Sequence, residues 1–135
     1  MAPAVLQVGD EVLDLSVTHT REQIKAYADA SGDQNPIHQD DAVARAVGLP
    51  GVIAHGMLNY GLLCRAVTDW LGDPARLRRL TVRFSNMVQP GDTVVCRGRV
   101  KSIDEAQGMA VLDVWMENQD GQKVLSHAEA EIATN

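Results

Sequence analysis

The fold turns on one stretch, His55-Gly-Met-Leu-Asn-Tyr-Gly-Leu-Leu-Cys-Arg-Ala-Val-Thr-Asp-Trp-Leu71. Met57, Leu58, Tyr60, Leu62, Leu63, Ala66, Val67, Trp70 and Leu71 recur at helical spacing and cover nearly all sides. A helix that is apolar around most of its circumference is a buried one. Gly72-Asp-Pro74 stops it. Gly56 and Gly61 remove side chains at points where another backbone or a ligand can come close. Asn59, Arg65 and Asp69 interrupt the apolar run, which is too short and too polar to span a bilayer.

Downstream the pattern changes to period two, the signature of strands. Leu80, Val82 and Phe84 face one way and Thr81, Arg83 and Ser85 the other. After a turn at Gln89-Pro-Gly-Asp92, Val94, Cys96, Gly98 and Val100 oppose Val95, Arg97, Arg99 and Lys101. Ala110, Leu112, Val114 and Met116 follow a turn near Gln107-Gly108. Val124, Ser126, Ala128, Ala130 and Ile132 form the last inward face after a turn at Asn118-Gln-Asp-Gly121. About four long antiparallel strands therefore follow one buried helix. A one-sided sheet must hide its apolar face, and that helix is the only element available to cover it. The residues alone thus define an α+β domain, an antiparallel sheet wrapped around a long central helix.

Upstream, Glu11 to Val17 alternates weakly, as an edge strand would. Thr20 is placed to cap a helix running to about Ala30, with Ile24, Tyr27 and Ala28 as its apolar face and Ser31-Gly32 ending it. Asp40 or Asp41 caps a short helix over residues 42–47, which Gly48-Leu-Pro-Gly51 stops.

The 135 residues fit one domain, residues 1–135, with no linker, repeat or low-complexity run. Only 4% of the residues are aromatic, so the core rests on Val, Leu, Ile, Ala and Met. A net charge of -6 argues against a nucleic-acid binder, which carries a basic face. Cys64 and Cys96 lie among apolar neighbours, outside any metal-binding spacing, and read as small buried hydrophobes in a reducing compartment. The first ten residues lack the features of a signal peptide, and the cytoplasm is the default location.

Chemistry concentrates in Tyr27-Ala-Asp-Ala-Ser-Gly-Asp-Gln-Asn-Pro-Ile-His38. Gly32 and Pro36 make its second half a stiff loop carrying an acid, Asp33, an amide, Asn35, and an imidazole, His38. A carboxylate held near an imidazole can pin one water between them, one group taking its proton while the other delivers a proton to carbon. The same residues also suit a plain helix connector in which Asp33 and Asn35 cap backbone groups. Gly56 opens the buried helix, whose free N–H groups can stabilise a developing enolate oxygen. Close helix–sheet packing would equally account for that glycine.

Together, Ala28-Asp-Ala-Ser-Gly-Asp-Gln-Asn-Pro-Ile-His38 and Gly48-Leu-Pro-Gly-Val-Ile-Ala-His-Gly-Met57 resemble the MaoC-like, (R)-specific enoyl thioester hydratase family. Gly32, Asp33, Asn35, Pro36 and His38 match its Gly-Asp-x-Asn-Pro-x-His pattern, and His55, Gly56 and Met57 match its downstream His-Gly-Met. The Arg83-Phe84 strand and the Pro90-Gly-Asp92 turn are similar too, and the likeness covers nearly the whole chain. The resemblance implies a hot-dog fold and a dimer whose sheets join edge to edge. It implies that Asp33 and His38 hold the reacting water, that the Gly56 N–H binds the thioester oxygen, and that Asn35 orients the loop. The acyl chain is then expected along the central helix near Met57, Leu58 and Met87, with a coenzyme A or acyl-carrier-protein thioester as substrate and no metal or redox cofactor. Where some members of the family carry a serine on the central helix, this chain has Cys64, a weaker hydrogen-bond partner.

His55 reads as structural, its ring bonded near the helix start, and His19 and His127 as solvated. Arg76, Arg78, Arg79 and Arg83, with Arg97, Arg99 and Lys101, form either a solvated sheet face or contacts for the phosphates of the carrier. Two other functions compete with hydration: an acyl thioesterase on the same fold, and a subunit of a heterodimer. Asp33 and His38 would make this chain the catalytic member of such a pair.

Overall fold

The computed structural model describes residues 2–135. A strand, β1 (Glu11–Thr18), precedes helices α1 (Arg21–Ser31), α2 (Asp41–Ala46) and α3 (Gly56–Leu71). Strands β2 (Leu77–Phe84), β3 (Thr93–Asp104), β4 (Met109–Asn118) and β5 (Lys123–Ala133) follow. They form one antiparallel five-stranded sheet in the order β1-β3-β4-β5-β2, so β1 and β2 are its edges. This is the helix-in-sheet architecture that the periodicities predict.

Alternation sets the core. Val94, Cys96, Val100, Leu112, Val114, Met116, Ala130 and Ile132 point inward from the sheet and meet Leu58, Leu62, Leu63, Ala66, Val67 and Leu71 of α3. The helix is less enclosed than its composition predicts, because Gly61, Arg65 and Asp69 leave an exposed stripe. Burial pushes the Cys96 thiol up to about 12, as expected of an inert core cysteine. Cys64 is half-buried.

Among the register shifts of the sheet, two coincide with a residue at positive φ. In β1 the pairing with β3 shifts between Val12 and Leu15, where Leu13 takes a positive φ of 72°. Gly98 lets β1 lie close at this place: a Cβ there would fall 2.8 Å from Val12 Cγ2 and 2.9 Å from the Asp113 carbonyl. In β5 the second bulge centres on His127, with φ 44°. It breaks the strict alternation read from the sequence. Leu125 is fully buried opposite Met116, while Ser126 turns toward Ser85, just after β2, and hydrogen-bonds it.

Caps fix the helix ends beside the site. Thr20 accepts from the Gln23 N–H, and Gly32, at φ 81°, closes α1 by donating to the Ala28 carbonyl. Asp40, of the two aspartates considered, caps α2. Asp41 instead clips the loop leading to α3, accepting from the Val52 N–H at 2.9 Å and from Arg21 at 2.9 Å. The Val52 hydrogen bond is the main cause holding the Asp41 carboxyl below its ordinary range. No helix among the described residues is long and apolar enough to cross a membrane.

Candidate active site

The loop after α1, the segment leading into α3 and the end of β2 meet at the N-terminus of α3. The first is the loop 32–38. Asp33 Oδ1 accepts from the Asn35 N–H at 3.3 Å, and Asn35 Oδ1 accepts from the Ile37 N–H at 3.2 Å, capping a 3₁₀ turn over Pro36–His38. The Asx-type capping weighed as a bland alternative is therefore present, and it is also what sets the loop's shape. It turns Asp33 and His38 toward each other: Asp33 Oδ2 lies 3.9 Å from His38 Nε2. Each atom could contact one water at ~2.8 Å, with an angle of about 90° at the water, tighter than tetrahedral.

The second segment, residues 52–55, locks the imidazole. His38 Nδ1 lies 2.7 Å from the Ile53 carbonyl oxygen. A carbonyl only accepts, so Nδ1 carries the proton and Nε2 is left with its lone pair toward Asp33. His38 is almost fully buried, whereas the Asp33 side chain is half-exposed. His55 packs face to face with the His38 ring at 3.7 Å and is flanked by Tyr27 at 4.8 Å. Its Nε2 donates to the Asp33 carbonyl at 3.0 Å. The sequence reading places the His55 ring bond near the helix start; instead it reaches across to the 32–38 loop, and His55 provides no side-chain cap for α3.

The third segment is the first turn of α3 with the end of β2. A cavity of about 280 Å³ is lined by His38, Gly56, Asn59, Phe84, Met87 and Leu125, among others. Gly56 brings the unpaired N–H groups of the helix terminus to this cavity, where a Cβ would lie 3.1 Å from the Phe84 ring. Phe84 and Met87 of this lining are each more than half exposed, as is Met57, the residue after Gly56.

His38, Gly56 and Met87 thus line one cavity, and Asp33 is held beside His38 without being part of that lining. Asn35 acts on the loop backbone and, like Met57, is not in the lining of this cavity. Leu58 is buried in the core rather than lining the cavity. Cys64 lies two turns along α3, outside the lining. Arg76 is committed to the fold, donating to the backbone carbonyls of Ala133, Thr134 and Leu71. Arg79 and Arg83 are exposed on edge strand β2 and form no ion pair among the described residues. Arg97 and Lys101 pair with Glu117 and Glu129.

His127 is exposed, as expected, but His19 is not solvated: it is fully buried, against the sequence reading. Its backbone is tied to the turn at residues 89–92 by hydrogen bonds with Asp92 and Gly91, which draws the ring beneath that turn. The sequence reading also passed over Asn59 and Phe84 as site residues. The only available signal for Asn59 was an amide in an otherwise apolar helix.

Asp33, His38 and His55 place donor atoms within 4.8 Å of one another, the spacing of a three-donor metal site. The ring geometry fits a metal poorly. His38 Nδ1 and His55 Nε2 are both engaged with backbone carbonyls, and the rings stack, so their remaining lone pairs run side by side rather than converging.

A long helix wrapped by a five-stranded antiparallel sheet defines a hot-dog protein. The chain belongs to the MaoC-like domain family, whose model matches residues 5–119. It is 31% identical over 115 residues to probable enoyl-CoA hydratase 2 of Dictyostelium discoideum, covering 84% of this chain and 37% of that protein. Among solved structures, the (R)-hydratase from A. caviae involved in PHA biosynthesis superposes with a TM-score of 0.84 at 27% identity, covering 94% of this chain and 96% of that one. The ChsH1–ChsH2 complex of Mycobacterium tuberculosis gives a TM-score of 0.85 at 26% identity, over 97% of this chain and 100% of the matched one. The chain spans well under two thirds of the length of the curated relatives it matches.

Proposed function

We propose that the protein catalyses (R)-specific, reversible hydration of a 2-enoyl thioester to a 3-hydroxyacyl thioester. The observation that carries this reading is the 3.9 Å approach of Asp33 Oδ2 and His38 Nε2 beside a cavity that also receives the first turn of α3. The relatives named as enoyl-CoA hydratase and (R)-hydratase support the reaction class and its stereochemistry.

The steps follow from the groups present. The thioester oxygen takes up the Gly56 N–H, so that negative charge developing on it meets the positive end of α3. Water sits between Asp33 and His38 with C3 before it. His38 Nε2, holding the free lone pair, takes a water proton as the oxygen attacks C3. The Asp33–His38 pair then delivers one proton to C2, and ends the cycle with the proton count it started with. Dehydration runs the same path backward. The thioester supplies the electronic activation, and no step here calls for a metal or redox cofactor.

The carrier's phosphates fit Arg79 and Arg83, which are free of carboxylate partners, better than Arg76. The exposed Met57, Phe84 and Met87 suit cover by a second subunit, either another copy or a different chain, as in the ChsH1–ChsH2 complex. The whole chain 1–135 then acts as one MaoC-like domain, working in a soluble compartment such as the cytoplasm.

The test is hydration of crotonyl-CoA and longer enoyl-CoAs by the wild type, Asp33→Asn and His38→Gln. Each substitution is expected to lower turnover by orders of magnitude while circular dichroism shows an unchanged fold. Near-normal turnover in either variant refutes the site. Release of free thiol from saturated acyl-CoA, without hydration, would instead identify a thioesterase.

A further inference from the structure

Asn59 stands one helical turn after Gly56, and both line the cavity. It is 3% exposed, and its Oδ1 is sealed from solvent with no hydrogen-bond partner. An amide buried in that condition is costly unless something completes it. Helical side chains lean toward the N-terminus and cover the turn before their own Cα. The turn that Asn59 covers begins with Gly56, which has no side chain to stand between the amide and the helix terminus.

Behind Asn59 lies His19, completely buried, with neither ring nitrogen in a hydrogen bond of good geometry. Burial is the largest influence on this ring and lowers its pKa; the Asn59 amide, then Asp92, oppose it. His19 is therefore a neutral imidazole at neutral pH, with one N–H to give. The Asn59 amide is close enough to act on this ring, and its Oδ1, otherwise without a partner, is the acceptor suited to that N–H. Because a carboxamide is planar, with oxygen and nitrogen on opposite sides, fixing Oδ1 against His19 turns Nδ2 the other way, toward the cavity and the turn at Gly56.

We propose that Asn59 is a second hydrogen-bond donor to the substrate's thioester oxygen, its Nδ2–H converging with the Gly56 N–H, and that His19 is the positioning residue that sets the amide's orientation. The inference rests on the hydratase reading, since it needs a thioester oxygen at the helix terminus. It makes the oxyanion site of this protein part backbone and part side chain. A side-chain donor aimed where charge develops acts chiefly on the transition state, so its loss falls on kcat rather than KM.

The experiment uses Asn59→Leu, which keeps the volume and removes the donor, with crotonyl-CoA for turnover. Butyryl-CoA carrying ¹³C at its thioester carbonyl serves as a bound, unreactive probe for infrared difference spectra. The expected result is a fall in kcat on the order of 10²-fold with KM changed by less than about threefold. The carbonyl band, shifted to lower frequency in the wild-type complex, should move back toward its solution position. His19→Phe should give a smaller change of the same kind in both readouts. A folded Asn59→Leu variant with wild-type kcat and an unmoved carbonyl band overturns the proposal, as does a loss confined to longer acyl chains, which would make Asn59 an acyl-chain contact. If the wild type itself hydrates no enoyl thioester, the hydratase reading fails and takes this inference with it. An active wild type with an indifferent Asn59 leaves that reading standing and removes only the second donor.

Discussion

Replacing Gly56 by alanine isolates the helix-terminus half of the site from its acid–base half. The new Cβ would lie 3.1 Å from Cδ1 and Cε1 of Phe84, a few tenths of an ångström inside ordinary contact. Phe84 is 54% exposed, so its ring can swing away at little cost. Gly56 has no positive φ, so alanine is not strained there, and the helix gains up to about 0.5–1 kcal/mol of propensity. These effects offset, and stability should stay within about 1 kcal/mol of the wild type. Turnover should not follow. The methyl group, with the displaced ring, occupies the approach of the thioester oxygen to the free N–H groups. Loss of one such donor costs about 10²–10³ in rate, roughly 2.7–4 kcal/mol of transition-state stabilisation. Gly61→Ala is the control on the same helix: nothing lies within 4 Å of its Cβ, so it should gain about 0.5–1 kcal/mol and keep full turnover. Urea unfolding followed by circular dichroism gives the stabilities, and the loss of enoyl absorbance gives the rates. A folded Gly56→Ala enzyme with turnover within a few-fold of the wild type would refute the assignment of this terminus as the oxyanion site.

Two further outcomes follow from the arginines and from His19. Arg76→Ala should destabilise the fold by about 1–3 kcal/mol, because three backbone carbonyls lose a charged donor, while Arg79→Ala and Arg83→Ala should raise KM for a CoA substrate in a salt-dependent manner with unchanged unfolding midpoints; steady-state kinetics at two ionic strengths and denaturant titration separate the two. Because the folded-state pKa of His19 lies below its unfolded value near 6.5, the unfolded chain binds the extra proton first, so stability should decline as pH falls below about 6.5 and level off once the folded-state pKa is passed. Denaturant midpoints of the wild type and His19→Phe across that range check the sign: the wild type should lose more stability on acidification than the variant, and equal slopes would show that His19 is not the group responsible.

What the sequence disclosed and what it withheld divide along a physical line. Periodicity marks which face of an element is buried, so the sheet order's raw material and the central helix were readable from Leu112, Val114, Met116 and their counterparts. Periodicity fails where the backbone departs from it. Ser126 was assigned inward because nothing in the letters reveals that His127 takes φ 44° and shifts the register so that Leu125 goes in. The 32–38 loop was legible because its shape is local: Asp33 and Asn35 each accept from a backbone N–H two residues on, His38 donates its N–H back to the Asn35 carbonyl, and the family resemblance rests on that same short pattern.

The partners of that loop are long-range, and there the reading stopped. His19 looked solvated because it sits in a polar connection after β1, yet backbone bonds to the turn at residues 89–92, more than seventy positions away, pull it under the sheet. Asn59 looked like an interruption in an apolar helix, and Arg76 looked as available as Arg79. Each was misjudged for the same reason: composition gives a side chain's chemistry, whereas its role depends on which donors and acceptors the fold sets opposite it. Buried polar groups that lack partners, such as Asn59 Oδ1 and the His19 ring, are therefore where a structure adds most to a sequence. A core that could have been wholly apolar keeps an amide beside the helix terminus, and the cost of burying its Oδ1 is offset only when a donor such as the neighbouring His19 N–H completes it.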